Sequence, residues 1–215
     1  MTYPIEKLLL AWRDAAAAEW GTHVTDAPGN VEHFFDAVGW NFHIKNGYEN
    51  NEKFAWCGIF AGAMGLEIGH YLEPGQCVPV FLDPDVAKFA FPSTRRLVSA
   101  GKWAAAGVSQ PEILRPMNAQ LNGSLTIDKL RPGMTCTIGD GKPHGTHIVI
   151  VDKINPESGT VDTIEGNAHG ELGDGSWGEG VVRRRGEHAR PFEEFRRAIL
   201  LDPIQHFDDL TRGDS

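Results

Sequence analysis

Apolar positions recur at helical spacing in the first part of the chain and at strand spacing in the last. Ile5, Leu8, Leu9, Trp12, Ala15 and Ala16, with Glu19, trace a mostly apolar stripe that predicts a helix over residues 4–20, Pro4 standing in its first turn. Asp26-Ala27-Pro28-Gly29-Asn30 interrupts the pattern, and Asn30 is placed to cap a short helix from Val31 to Val38 that Gly39 ends. A polar run from Asn46 to Glu52 leads into Phe54-Ala55-Trp56-Cys57-Gly58-Ile59-Phe60-Ala61-Gly62-Ala63-Met64. There Cys57, Phe60, Ala61, Met64 and Ile68 share one helical face, which predicts a helix over roughly residues 55–70.

Between Tyr71 and Asn122 the periodicity weakens. Prolines at 74, 79, 84, 92, 111 and 116 punctuate it and predict short helices, Thr94 to Ala100 behind Ser93 and Lys102 to Ala106 among them, joined by ordered loops. Beyond Asn122 the spacing turns to that of strands. Leu130-Arg131-Pro132-Gly133 reads as a turn, and strands are predicted near 134–138, 147–154, 160–165, 180–185 and 196–201, with Asn155 to Gly159 as a hairpin connection. Gly170 to Gly180, rich in glycine around Trp177, reads as a loop. Helices followed by a meandering sheet predict an α+β fold, and the length suits one domain over residues 1–215 with an insertion at 71–122.

Composition narrows the classes. Hydrophobic residues at 41% and charged residues at 23% are ordinary for a globular protein, and nothing approaches the run of roughly 18 apolar residues that a membrane helix needs, so stable membrane insertion is not expected. The net charge of −9 leaves little attraction for nucleic acid, and Arg183-Arg184-Arg185 reads as a solvated strand edge. The residues after Met1 lack the basic, apolar and small sequence of a secretory leader, so synthesis in the cytoplasm without a cleaved signal is expected. Three cysteines, Cys57, Cys77 and Cys136, with no Cys-x-x-Cys pair, argue against a disulfide framework. Cys136 lies in a strand pattern and reads as core.

Cys57 is the chemically suggestive one. It falls in the first turn of its helix, where unpaired backbone N–H groups and the positive end of the helix dipole stabilise a thiolate. Such a setting lowers the thiol pKa from about 8.5 by a unit or more. Gly145-Thr146-His147-Ile148-Val149-Ile150-Val151 delivers a histidine to the start of an apolar strand. Thr160 to Asn167 is a second strand that ends in Glu165 and Asn167, two residues apart and hence expected on one face. Thiol, imidazole and a polar group to orient the imidazole are the parts of a nucleophilic triad. Each has a plainer reading: a small core thiol, a core histidine, a strand-end charge and a turn asparagine. His144 and His147 with His169 and Asp152 or Asp162 are types a metal accepts, but His-Gly-Thr-His is not the helical zinc spacing, and neither metal nor cofactor is expected.

"AWCGIFAGAM", "LRPGM" before a strand, "GTHIVIV" and "TIEGN" together resemble, in type and order, the CHAP and NlpC-like superfamily of cysteine peptidases and amidases, over roughly residues 50–70 and 128–168. Thr146 stands where that pattern usually has glycine, and Val149 where it often has a small residue. The resemblance implies a papain-like fold with Cys57 as nucleophile, His147 as base and Glu165 orienting the histidine. It further implies that Asn167 positions the histidine or the substrate and that Asn51 is a side-chain candidate for the oxyanion donor. Trp56 reads as a cleft wall or a packing residue, and His169 as a border of the substrate groove. The implied substrate is bacterial cell-wall peptidoglycan, cleaved in the periplasm or wall by a phage lysin released with a holin or by an antibacterial effector delivered by a secretion system. The effector version implies a cognate immunity or inhibitor protein. Thiol hydrolysis of a non-wall amide and a non-catalytic binding module are the alternatives. Iodoacetamide is expected to label Cys57 faster than Cys77 or Cys136, and equal labelling of all three, read by peptide mass spectrometry, would remove the case for an activated thiol.

Overall fold

The computed structural model describes residues 5–22, 31–37, 56–67, 126–138, 147–195 and 200–201. The expected helices at 94–100 and 102–106, the insertion at 71–122, the caps Asn30 and Gly39, and Asn51 lie outside the described residues. Helices α1 (Ile5–Ala18), α2 (Glu32–Ala37) and α3 (Cys57–Glu67) precede strands β1 (Thr135–Ile138), β2 (His147–Asn155), β3 (Thr160–Glu171), β4 (Trp177–Arg184), β5 (Arg190–Pro191) and β6 (Leu200–Leu201). The fold is α+β, with an antiparallel sheet ordered β4-β3-β2-β1-β6. Strand β5 pairs with the first residues of β3, Val161 opposite Arg190. Because β2 already occupies the other side of Thr160 and Val161, β5 prolongs the edge that β4 occupies further along.

Helix α1 buries Leu9, Trp12, Ala15 and Ala16, the residues its spacing singles out. Helix α3 differs from its expected single apolar face, since every residue from Cys57 to Gly65 is buried. Its glycines and alanines let three neighbours approach. Trp12 of α1 donates its indole N–H to the Ala61 carbonyl at 3.2 Å and lays its ring against Gly65. Phe34 of α2 meets Phe60 edge-on with centroids 5.2 Å apart. On the sheet side, a Cβ added to Gly166 of β3 would stand 2.5 Å from the Phe60 Cβ, so only glycine admits α3 at this distance. Leu9, Met134, Cys136, Ile138, Val149, Val151, Val161 and Phe195 form a hydrophobic cluster. The uninterrupted apolar run Ile148 to Val151 follows from burial on both sides of β2.

The proline–glycine turn takes the conformation its residues favour. Pro132 is followed by Gly133 at φ 87°, Met134 N–H donates to the Arg131 carbonyl at 3.1 Å, and Gly133 lies against the Leu9 backbone, which leaves no room for a side chain. Two sequence expectations are corrected. The segment from Gly170 to Gly180 is not one loop, because β3 continues to Glu171 and β4 begins at Trp177. Its glycines serve close packing: a Cβ at Gly170 would meet Val182 and one at Gly178 would meet Leu172. Of the strand expected over 196–201, residues 196–199 lie outside the described residues and Leu200–Leu201 is strand, preceded by β5 and a 3₁₀ turn, Phe192–Phe195. The arginine run is not an open edge. Val181 of β4 exchanges main-chain hydrogen bonds with Gly21 and Thr22, Arg183 pairs with Asp152 at 2.6 Å, and Arg183 and Arg185 lie over the Trp20 ring.

Gly166→Ala forces a methyl into the Phe60 side chain, and overpacking of this kind costs roughly 1–3 kcal/mol. Urea denaturation is expected to give a lower midpoint at unchanged slope. An unaltered midpoint would mean that α3 is free to move off the sheet.

Candidate active site

Cys57 is the first residue of α3, and the Trp56 carbonyl accepts the first helical hydrogen bond from Phe60 N–H at 2.9 Å. Its thiol is therefore close to N–H groups that have no partner within the helix. His147 opens β2, where the sheet faces this helix start. Ile150 of β2 pairs with Ile164 of β3, and Glu165 is the next residue of β3, on the side of that pair toward His147. The register brings Glu165 to the histidine, and His147 Nε2 lies 3.1 Å from Glu165 Oε2. The thiol of Cys57 interacts with the same imidazole by hydrogen bonding and charge. With Nε2 engaged by the carboxylate, Nδ1 is the ring nitrogen left for the sulfur.

The charges reinforce one another. Burial pushes the Cys57 thiol up, but the hydrogen bond and charge of His147 and the N–H groups of Ile148 and Gly58 outweigh it, and the net displacement is downward. Burial disfavours protonated His147, yet hydrogen bonds and charge from Cys57 and Glu165 raise its pKa to about 9. Burial likewise opposes ionised Glu165, and Arg190 and His147 hold it well below the usual carboxylate range. Cys136 supplies the contrast: it is buried without such partners, and burial alone drives its thiol far upward. The shifts bias the sulfur at position 57 toward thiolate and the imidazole toward imidazolium, the combination of a nucleophile with a proton donor.

Glu165 is fully buried, and four side chains donate to it. Thr163 Oγ1 donates to Oε1 at 2.6 Å, and Arg190 donates from Nε to Oε1 and from Nη2 to Oε2, both at 2.7 Å. Arg184 Nε donates to Oε2 at 3.2 Å, and His147 is the fourth donor. Thr163, Arg184 and Arg190 are site residues that the sequence reading missed. One signal was available, namely that a buried carboxylate demands cations, but which arginines answer it depends on strand pairing.

The other expected site residues are placed as follows. Asn167 does not share a face with Glu165. It sits at φ 56° in a bulge between Glu165 and Ala168 and is exposed, because the extra residue reverses the alternation of β3. Trp56 is buried, stacked on Phe34 with centroids 5.8 Å apart and edge-on to Phe60, so its surroundings are those of a packing residue. His169 is exposed beside Trp177 and touches the site only through its carbonyl, which accepts from Arg184 Nη2 at 3.0 Å. Among the described residues no group of three or more His, Cys, Asp and Glu side chains is placed to hold a metal. Asp152 is paired with Arg183, and Asp162 accepts from Asn155 Nδ2 at 2.9 Å.

The depressed Cys57 pKa carries a definite sign. Stabilisation of the thiolate is present above the ordinary thiol value and is lost as pH falls through the folded value. Ultraviolet absorbance of the native Cys57 thiolate is expected to titrate below an ordinary thiol. In His147→Ala the limb is expected to move above one, since burial then acts against much weaker opposition. A limb indifferent to His147→Ala would show that the two groups are uncoupled.

Comparison with protein-family models, with curated proteins and with solved structures yielded no match to this chain.

Proposed function

We propose that this protein is a cysteine hydrolase with a papain-like arrangement that cleaves an amide bond of cell-wall peptidoglycan. One observation carries the chemistry: Cys57, at the start of a buried helix, faces an imidazole whose far nitrogen is held by a buried, ionised Glu165. The choice of peptidoglycan rests on the resemblance of the segments around Cys57, His147 and Glu165 to CHAP and NlpC-like enzymes. Delivery as a lysin or as an effector, with the inhibitor that the latter needs, belongs to the same proposal.

The thiolate of Cys57 attacks the amide carbonyl, forming the C–S bond and placing negative charge on oxygen. The oxyanion is received by the N–H of Cys57, which in the first turn of α3 has no partner within the helix. His147 gives its proton to the amide nitrogen as the C–N bond breaks, leaving a thioester and a neutral imidazole. Water then gives a proton to His147 as its oxygen attacks the thioester carbonyl. Collapse of that intermediate expels the thiolate and restores the ion pair. Glu165 keeps its charge throughout and holds Nδ1 of the ring toward the sulfur.

Purified sacculi incubated with the protein are expected to lose turbidity and release new amino groups, with mass spectrometry naming the bond. Cys57→Ala and His147→Ala are each expected to lower the rate by about a thousandfold or more. Cleavage of peptides with intact sacculi would move the assignment to a non-wall substrate. Undiminished cleavage by Cys57→Ala would end the proposal, and a wild-type protein that cleaves neither would favour a binding module.

A further inference from the structure

Arg190 is the strongest partner of the buried carboxylate. Its Nε and Nη2 take one carboxylate oxygen each at 2.7 Å, whereas Arg184 makes a single 3.2 Å bond to Glu165 and spends Nη2 on the His169 carbonyl. The fork is rigidly held. Arg190 lies in β5, paired with Val161, and the 3₁₀ turn that follows is anchored by Phe195 in the core and by Phe192 N–H donating to the Gly159 carbonyl at 2.9 Å. The remaining guanidinium nitrogen, Nη1, donates at 2.9 Å to Glu194 Oε2 on that turn. Glu194 is about one-third exposed, so the chain Glu194, Arg190, Glu165, His147, Cys57 leads from the surface to the sulfur.

We infer that Arg190 is a positioning residue that clamps Glu165 and, balanced by Glu194, sets the pH window in which Cys57 and His147 stay oppositely charged. The charged and titratable groups that bear on it are Glu165 on β3, Glu194 on the 3₁₀ turn, Arg184 on β4, His147 on β2 and Cys57 on α3. Three carry negative charge and three positive, so the cluster is neutral as a whole. Removing one cation raises the proton affinity of every acid and base that remains, and removing one anion lowers it. A residue that served only as a strut would change stability or maximal rate and leave the titrations where they were. The inference rests on the Cys57–His147 pair of the proposed function but concerns its charge state, so its test needs no substrate.

The experiment follows the pH dependence of Cys57 alkylation by iodoacetamide together with the NMR titration of the His147 ring. In Arg190→Met both midpoints are expected to rise by roughly one pH unit. In Arg190→Lys they are expected to return toward the wild type, because the charge is restored, while hydrolysis of sacculi stays slower, because an ammonium cannot reproduce the two-pronged fork. In Glu194→Gln both are expected to fall by a few tenths of a unit. Midpoints unmoved in Arg190→Met, or moving upward in Glu194→Gln, overturn the inference. If Arg190→Met does not fold, Glu194→Gln decides alone, a downward shift supporting the inference and no shift overturning it. Sacculi left uncleaved by a wild type that shows these shifts would refute the wall substrate only. An alkylation limb indifferent to His147→Ala would refute the pair itself.

Discussion

An ionised carboxylate without solvent is costly, by several kcal/mol after relaxation, unless its oxygens are fully engaged. Glu165 meets that condition with donors from four separate strands: Thr163 on β3 itself, His147 on β2, Arg184 on β4 and Arg190 on β5. The requirement works in both directions. The carboxylate cannot stay charged unless those strands come together, and the strands, once together, hold four cationic or polar groups at fixed positions around one point. Of these only His147 also reaches the sulfur. The orientation of the imidazole is therefore set by the same buried charge that ties this part of the sheet together.

The helix carrying Cys57 is brought to that point by the absence of side chains. Gly166 follows Glu165 directly, and its missing Cβ is what lets Phe60, one turn after Cys57, rest on β3. Ala61 and Gly65 on another face of α3 admit Trp12 in the same way, while Phe34 of α2 packs on Phe60. Close approach from several sides explains why a helix of such modest side-chain bulk is buried from Cys57 to Gly65. Cys57 and Cys136 then show that burial alone does not make a thiol reactive. Both are buried, yet their pKa values move in opposite directions, because only Cys57 has an imidazole and free N–H groups against it.

Much of this was legible in the order of residues. The helices around Leu9 and Cys57, the turn at Pro132-Gly133, and the strands opened by Thr135, His147 and Thr160 follow from apolar period and turn chemistry, which are local properties. The thiol, imidazole and carboxylate that meet were also nameable, since each residue type stands where its element begins or pairs. The extent of β3 was not legible. Its glycines read as a loop, because the packing of Gly170 on Val182 and of Gly178 on Leu172 is a cross-strand matter that no local window contains. Asn167 was misplaced for a related reason, as a one-residue bulge reverses the alternation on which a same-face argument depends.

Sequence alone determined the class of fold and the reactive residue types, because period, turn preference and side-chain chemistry belong to each residue and its immediate neighbours. Only the tertiary structure decided that Arg184 and Arg190, rather than solvent, neutralise Glu165, that Trp56 packs inward, and that β4 is a covered edge. Those outcomes depend on which distant segments share a low-dielectric space, where a charge must find a partner, and the partner it finds is fixed by strand order and register.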